Sequence, residues 1–361
     1  MLKILHLVTS LDFGGLERRI EILSKYPSKN NELYFVALGG GGETHKTLLK
    51  NKSDVTLLEC KPTIFTLKTF LTLLNLLRKV KPDIVHCHGC EANFYGVFVS
   101  KILRVKLIVA EEIGIPSLSV TARFIFRLVY KISDKVICMS PAVLGFLSSE
   151  IVVDKKNLTT VYNPVLMKSG SDVTDRTLSK ALCFVYLGRL EEVKNPLGLL
   201  AAFNQFINEG YEAELTIIGD GSQKNELISY ITENELNSHV HFLGFVSLPL
   251  DELIKHDVII QPSHTEGFSL ALAEAMSCCL PALCTPSGSA NVLIKDGVNG
   301  WLMKSSDVSS IYDGLVIAFN NKDNLNELGR KARETVINKH SAKQYAEKLD
   351  FFYDSLLGFK P

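Results

Sequence analysis

An α/β protein built of two doubly wound, parallel-sheet domains is the fold class this sequence predicts, and three observations predict it. Short β-branched runs alternate with amphipathic helical stretches along nearly the whole chain, the pattern of βαβ units. The alternation stops in a polar, aperiodic stretch, "NPVLMKSGSDVTDRTLSK" (163–180), and then starts again. The chain's 361 residues are too many for one ordinary core and suit two.

Taken in order, "KILHLV" reads as a buried strand, "TSLDFGG" as a turn and "LERRIEILSK" as a helix. Strands follow at "ELYFVALG", "DVTLLE", "DIVHCHG", "KLIVAEE" and "KVICMS". Between them Leu67, Phe70, Leu71, Leu74 and Leu77 recur at helical spacing. In the second half the strands are "CFVYLGRL", "AELTIIGDG", "VHFLGF", "DVIIQPS", "LPALCTP" and "GWLM". Helices "PLGLLAAFNQFINEG", "KNELISYITENEL" and "LALAEAMSC" lie among them. The expected domains are 1–165 and 166–340, with a long terminal helix over 341–361 crossing back to brace the first. Ligands of such sheets bind beyond the carboxyl ends of the strands, where strand order reverses. Two domains in tandem would frame a central cleft suited to a two-substrate reaction.

Bulk properties narrow the function. Formal net charge is zero, which argues against a nucleic-acid binder. No apolar run reaches the ~18–20 residues of a membrane span. "MLKILHLVTSLDFGG" lacks the long apolar region of a signal peptide, so a cytoplasmic chain is expected. Most of the eight cysteines sit in apolar strand-like runs and read as small buried residues. Cys87 and Cys90 in "HCHGC" have redox or metal spacing, but one C-x-x-C without a second pair favours packing at a strand end.

In "SHTEGFSLALAEAM", Glu266 and Glu274 lie eight positions apart. On one continuous helix they would be ~12 Å apart and ~80° out of line, so they are no carboxylate pair. Gly267 suggests a loop instead, with Ser269 as N-cap of a helix formed by "LALAEAM". Free amides at Gly267, Phe268, Ser269 and Leu270 would then form an anion site beside carboxylates able to accept from sugar hydroxyls. On these residues alone an exposed loop glutamate and a solvated helix glutamate fit equally well. In "YLGRLEEVKNP", Arg189 and Lys194 follow a strand and precede a helix whose first residue should be Pro196. Two cations at a strand's carboxyl end can neutralise a diphosphate, though here they could as well balance Glu191 and Glu192.

These two motifs, in this order and in the second of two α/β domains, resemble the retaining glycosyltransferases of the GT-B fold, most closely family 4. The resemblance extends along the chain. "TSLDFGGLERR" is similar to the family's glycine loop, "DIVHCHG" to its histidine strand and "VYNPV" to its interdomain signature. "GRLEEVKNP", "IIGDG", "PSHTEGFSLALAEAMSCCLP" and "DGVNGWL" match its later motifs in order. The resemblance implies that Arg189 and Lys194 hold a donor diphosphate and stabilise it as leaving group. Glu274 would bind the ribose and Glu266 the transferred sugar, across the amides of Gly267, Phe268, Ser269 and Leu270. Gly14 and Gly15 would let backbone approach donor phosphate or acceptor, Phe245 would face the base, and His88, with His86 behind it, would line the cleft. Gly219 and Gly221 read as a structural turn. Cys279 stands where the family usually has glycine, and Val292 where a glutamate is common.

The implied activity is a hexosyltransferase-type, retaining, metal-independent transfer from a nucleotide diphosphate sugar, expected to be a UDP-sugar, with no cofactor. The acceptor would be a growing cell-surface polysaccharide or a lipid-linked glycan. Competing readings are a non-catalytic nucleotide-sugar-binding partner of another transferase and a sugar-nucleotide epimerase of the same fold. A dehydrogenase is disfavoured because no G-x-G-x-x-G follows the first strand. Finally, "TARFIFRLVYK" puts Arg123, Arg127 and Lys131 at four-residue spacing, flanked by Phe126 and Tyr130. That stripe is either an ordinary solvated face or a peripheral contact with the inner face of the cell membrane.

Overall fold

The computed structural model describes residues 1–12, 14–26, 31–61, 63, 65–116, 118–161, 164–165, 181–247 and 249–358. The polar stretch expected at 163–180 lies almost wholly outside these residues, as do Tyr162 and Asn163 of "VYNPV". The chain divides into two compact units, Met1–Pro164 with Ala342–Pro361, and Val165–Ser341.

Unit 1 holds β1 (Leu2–Val8), α1 (Gly15–Lys25), β2 (Asn31–Ala37), α2 (Glu43–Lys50), β3 (Asp54–Leu57), α3 (Leu67–Val80) and β4 (Ile84–His88). It continues with α4 (Cys90–Ile102), β5 (Leu107–Glu112), α5 (Val120–Ile132), β6 (Lys135–Cys138), α6 (Pro141–Ser149) and β7 (Leu158–Thr160). The sheet is parallel with order β3-β2-β1-β4-β5-β6-β7, so strand order reverses between β1 and β4. Because parallel crossovers are right-handed, that reversal puts helices on both faces. Ile20, Leu23 and Leu48 of α1 and α2 pack with Ile4, Val8 and Ile84 on one face. Leu73, Tyr95, Phe126 and Leu147 of α3 to α6 pack with Leu5, Leu7 and Val85 on the other. The three-residue strand β7 escaped the sequence reading; "LTT" is too short to show alternation.

The terminal helix, numbered α14 in chain order (Ala342–Leu357), belongs to unit 1. Its Tyr345, Leu349 and Tyr353 complete the core beside α1, and Tyr353 Oη lies 2.7 Å from His86 Nδ1.

Unit 2 repeats the plan with β8 (Leu182–Leu187), α7 (Pro196–Asn208), β9 (Ala213–Ile218), α8 (Lys224–Glu233), β10 (Val240–Gly244), α9 (Leu250–Leu253) and β11 (Val258–Gln261). Then come α10 (Leu270–Ser277), β12 (Ala282–Cys284), α11 (Ala290–Leu293), β13 (Gly300–Leu302), α12 (Val308–Asn320) and α13 (Leu325–His340). The parallel order is β10-β9-β8-β11-β12-β13, and the reversal falls between β8 and β11. Where the chain enters and leaves this unit, Val165 pairs with Ser341, and the Val165 amide donates to His340 O at 2.9 Å.

The end of α10 shows what the Cys279 departure does. Cys278 caps the helix and Cys279 has φ 60°, the left-handed region a Cβ disfavours. Cys279→Gly should therefore stabilise the protein by about 1 kcal/mol. Urea unfolding checks this, and an unchanged or lowered midpoint would refute it.

Candidate active site

The site begins with local rules at the carboxyl edge of the unit 2 sheet. After β8 the chain turns through Gly188 and Arg189 into a 3-10 turn, Glu192–Lys194. Asn195, at φ 55°, caps α7: its side chain accepts from the Gly198 amide at 3.2 Å, and Pro196 is the first helical residue as expected. Asn195 Nδ2 also donates to Ser306 O at 2.7 Å, which fixes the turn carrying the cations. Across the reversal point, β11 runs into the loop that holds Glu266. The Lys194 ammonium donates to the Glu266 carboxylate, and both side chains are largely buried. Arg189 is exposed, and its side chain makes no hydrogen bond or ion pair among the described residues. Its backbone is held by the Tyr186 hydroxyl, which donates to Arg189 O at 2.9 Å.

Ser269 caps α10 as the sequence predicts, its hydroxyl accepting from the Leu272 amide at 3.2 Å. The expectation of four free amides needs a correction. The Ser269 amide donates to Ser289 Oγ at 3.0 Å, because the loop before α11 folds onto the cap. The amides of Gly267, Phe268 and Leu270 have no partner among the described residues. That approach is close: a Cβ on Gly288, at φ 53°, would lie 2.4 Å from the carbonyl oxygens of Glu266 and Gly267. A shallow open hollow is lined by Gln261, Glu266, Ser269, Thr285 and Ser287 among others. Glu274 is not one of its lining residues; it is buried on α10, at 7% exposure. The phenyl ring of Phe268 packs 5.1 Å from the His340 ring, and Phe245 is half exposed after β10.

Gly219 proves structural. Its Cβ would lie 1.8 Å from Gly188 O, and a Cβ on Gly221 would meet Leu190 O at 2.5 Å. Both glycines let the β9 turn pass against the loop that bears Arg189.

In unit 1 the register sets the outcome for His88. Val8, His88 and Glu111 pair across β1, β4 and β5, with His6 and His86 one step behind on the same face. From α1, Arg19 reaches down to this row and donates to both Glu111 oxygens at 2.6 and 2.7 Å. The Glu111 carboxylate also accepts from His88 Nδ1, which leaves His88 Nε2 to accept from His6 Nδ1 at 3.0 Å. All five side chains are at 0 or 1% exposure. Within unit 1, Arg19 and Glu111 thus hold His88 in a buried row at the carboxyl end of β4, with His86 beside it. Burial keeps His88 neutral, pushed down to about 3, and lowers His6 and His86 as well. The three imidazoles have nitrogens within 4.8 Å of one another, close enough for a metal ion. The Arg19 guanidinium, bound to the Glu111 carboxylate that also accepts from His88 Nδ1, marks the cluster instead as a hydrogen-bonded network.

Gly14 and Gly15 stand at the start of α1, and the carboxylate nearest Gly14 is the chain's own Glu17. Sequence reasoning missed Thr9 and Glu91, whose side chains hydrogen-bond at 3.2 Å across the β1–β4 reversal. Their only signal was position, each just after a strand. Cys87 and Cys90 are free thiols, the first in the core and the second 3.7 Å from Glu112; burial pushes both up and out of reactive range.

Comparisons agree with this anatomy. The family model described as Glycosyltransferase Family 4 matches residues 13–166, and that described as Glycosyl transferases group 1 matches 175–335. Anabaena Alr3699/HepE, solved in complex with UDP, superposes with a TM-score of 0.84 at 19% identity, covering 98% of this chain and 100% of that one. Its complex with UDP-glucose gives 0.84 at 20% identity, with the same coverage. An Escherichia coli UDP-Gal:alpha-D-GlcNAc-diphosphoundecaprenol alpha-1,3-galactosyltransferase is 27% identical over 80% of this chain and 79% of its own length. A Campylobacter jejuni enzyme is 26% identical over 85% of this chain and 87% of its own. That relative is N-acetylgalactosamine-N,N'-diacetylbacillosaminyl-diphospho-undecaprenol 4-alpha-N-acetylgalactosaminyltransferase. The fold is the GT-B fold, two Rossmann-like units on one chain. Within it, the chain belongs to glycosyltransferase family 4.

Proposed function

We propose that this glycosyltransferase takes a sugar from a nucleotide diphosphate sugar, a UDP-sugar, held on unit 2, and passes it to a hydroxyl of a lipid-linked or polysaccharide glycan engaged by unit 1. The observation that carries the donor site is the convergence of Arg189, the Lys194–Glu266 pair and three unpartnered amides at the unit 2 strand-order reversal. A diphosphate would find there two cations and a helix start. Relatives and structural neighbours named for UDP, UDP-glucose and diphosphoundecaprenol-linked substrates favour the substrate classes.

In the proposed step the acceptor oxygen bonds the anomeric carbon as the carbon–phosphate-oxygen bond breaks on the same face. The acceptor proton goes to the leaving diphosphate, so configuration is retained. Arg189 and Lys194 offset the charge that gathers on that group without a divalent metal. Glu266 orients the transferred sugar, Glu274 serves the ribose end and Phe245 the base. Peripheral contact of unit 1 with a membrane, through Arg123, Arg127 and Lys131, would bring it to a lipid-linked acceptor.

Calorimetric titration with UDP in the presence of EDTA tests the site. Arg189 is exposed and unpaired, so Arg189→Ala should leave the fold intact and weaken UDP at least tenfold. Absence of UDP binding by the wild type, or equal binding by the variant, would overturn the donor site. Proton NMR of the product's anomeric centre tests retention.

A further inference from the structure

Building on that reading, we propose that unit 1 holds the acceptor by a ring of an uncharged sugar, stacked on the phenyl group of Phe65 with its hydroxyls donating to Glu91. Phe65 lies in the turn that enters α3. Its side chain is 72% exposed, and its backbone has φ 70°. That left-handed conformation is an outlier for a bulky residue and suits glycine or asparagine better. The surroundings enforce it. The Tyr95 hydroxyl of α4, at 1% exposure, accepts from the Thr66 amide at 2.8 Å and donates to Thr63 O, so both sides of the turn are pinned to the core. The Phe65 ring meets Phe94 edge-on, with centroids 5.1 Å apart. An aromatic ring held in solvent on an unfavourable backbone contributes little to folding, and the strain is offset only when something covers the ring.

What covers it follows from the place. Doubly wound sheets take ligands beyond the strand ends where strand order reverses, which in unit 1 is between β1 and β4. There Thr9, just past β1, donates to Glu91 Oε2 at 3.2 Å, and Glu91 Oε1 makes no hydrogen bond or ion pair among the described residues. Glu91 is half-buried on the first turn of α4, three residues before Phe94. Residues three apart on a helix have Cβ atoms ~5–6 Å from each other, so Glu91 and Phe65 are both neighbours of Phe94. On the β5 side Ile113, 38% exposed, stands beside Gly89, where a Cβ would lie 3.9 Å from its Cδ1.

A pyranose supplies what these groups lack. Its ring C–H bonds form an apolar face for Phe65 and Ile113, and its hydroxyls donate to an ionised carboxylate, which only accepts. The sugar in this place is uncharged, because Glu91 and the exposed Asp12 after β1 repel a phosphate at this edge. A polyol phosphate would bring that charge and no flat apolar face. A second copy of the chain would also cover Phe65, but would leave the Glu91 oxygen without a use.

Saturation-transfer difference NMR of the full chain in excess UDP tests this. The probes are the methyl glycosides of glucose, galactose, N-acetylglucosamine and N-acetylgalactosamine, with glycerol 3-phosphate as the charged control. At least one glycoside should bind, with transfer strongest to the protons of one ring face, and glycerol 3-phosphate should bind more weakly. Phe65→Gly should weaken that glycoside about tenfold while the urea midpoint holds or rises, since glycine suits φ 70°. A side chain serving only the fold would lower the midpoint instead. Phe65→Tyr should keep the binding, and Glu91→Gln should weaken it about fivefold. UDP titration of every variant should match the wild type. Binding of no glycoside, equal binding by the wild type and Phe65→Gly, or tighter binding of glycerol 3-phosphate would overturn the subsite. Self-association abolished by Phe65→Gly would overturn it too, by giving the ring to a second copy. Intact UDP binding without glycoside binding refutes this subsite alone, whereas absent UDP binding refutes the donor site whatever the glycosides show.

Discussion

Glu266→Gln should bind UDP more tightly than the wild type, by about five- to tenfold, and yet transfer sugar at least a hundredfold more slowly. The opposing signs follow from the Lys194–Glu266 pair. With no donor bound, the ammonium is neutralised by a carboxylate, and an arriving diphosphate must share that cation and tolerate the carboxylate's charge. Glutamine keeps the shape but removes the repulsion. Screened electrostatics in a partly buried site put that near 1 kcal/mol, hence the modest factor. In the role proposed for Glu266, the transferred sugar then loses its anchoring carboxylate, which costs the rate. Lys194→Ala should do the opposite to affinity, weakening UDP at least tenfold while lowering kcat/KM by about 10²–10³. Calorimetry with UDP and a radiolabel transfer assay read both quantities. If Glu266→Gln weakens UDP as much as Lys194→Ala does, the pair does not sit at the phosphates.

The largest stability effect should come from unit 1. Glu111→Leu would strand the Arg19 guanidinium at 1% exposure without its bidentate partner, a loss of about 3–5 kcal/mol. Removing both charges together, as Arg19→Met with Glu111→Leu, should recover much of it. Acid should act on the same network. Burial alone would raise the Glu111 carboxyl, but the Arg19 charge and the imidazole hydrogen bonds overcome it and hold it well below the carboxylate range. Its stabilisation is therefore present above about pH 4.5 and lost as pH falls through the folded value. The three imidazoles work in the same direction. Burial keeps them neutral, so below about pH 6.5 the unfolded chain binds protons that the folded chain refuses.

Glu112 opposes them. Its burial beside Tyr130 pushes it up to about 7, so its stabilisation is present in acid and fades as pH rises through 7. Near pH 5.5 up to three protons bind on unfolding and about one leaves. Stability should then fall by about 2–3 kcal/mol for each pH unit of acidification. Urea midpoints from pH 7 down to pH 5 would measure it, and a flat profile would mean that the histidines are not buried neutral.

What sequence could show depended on how local each determinant is. Ser269 and Pro196 were readable because a cap or a first-turn proline is decided within four residues. The strand alternation was readable because parallel sheets bury both faces and write continuous apolar runs. The burial of His88 was not readable because it is set by Arg19 and Glu111, 69 positions before and 23 after it. The "TARFIFRLVYK" helix was clear, but apolar residues lie on several of its sides. Only the sheet beneath decides that Phe126 and Tyr130 go inward and Phe124 outward. Likewise the Ser289 hydroxyl could not be foreseen on the Ser269 amide, since a loop twenty residues away brings it there.

The position of α14 has a consequence for how the protein is made. Unit 2 is one uninterrupted stretch, Val165–Ser341, and can fold as it leaves the ribosome. Unit 1 is begun before unit 2 but finished after it, since Tyr345, Leu349 and Tyr353 close its core only once unit 2 has been made. Until then the apolar strip beside α1, with the His86 ring awaiting the Tyr353 hydroxyl, faces water or a chaperone. A nonsense codon that spares all of unit 2 would thus leave the older half of the chain without its lid.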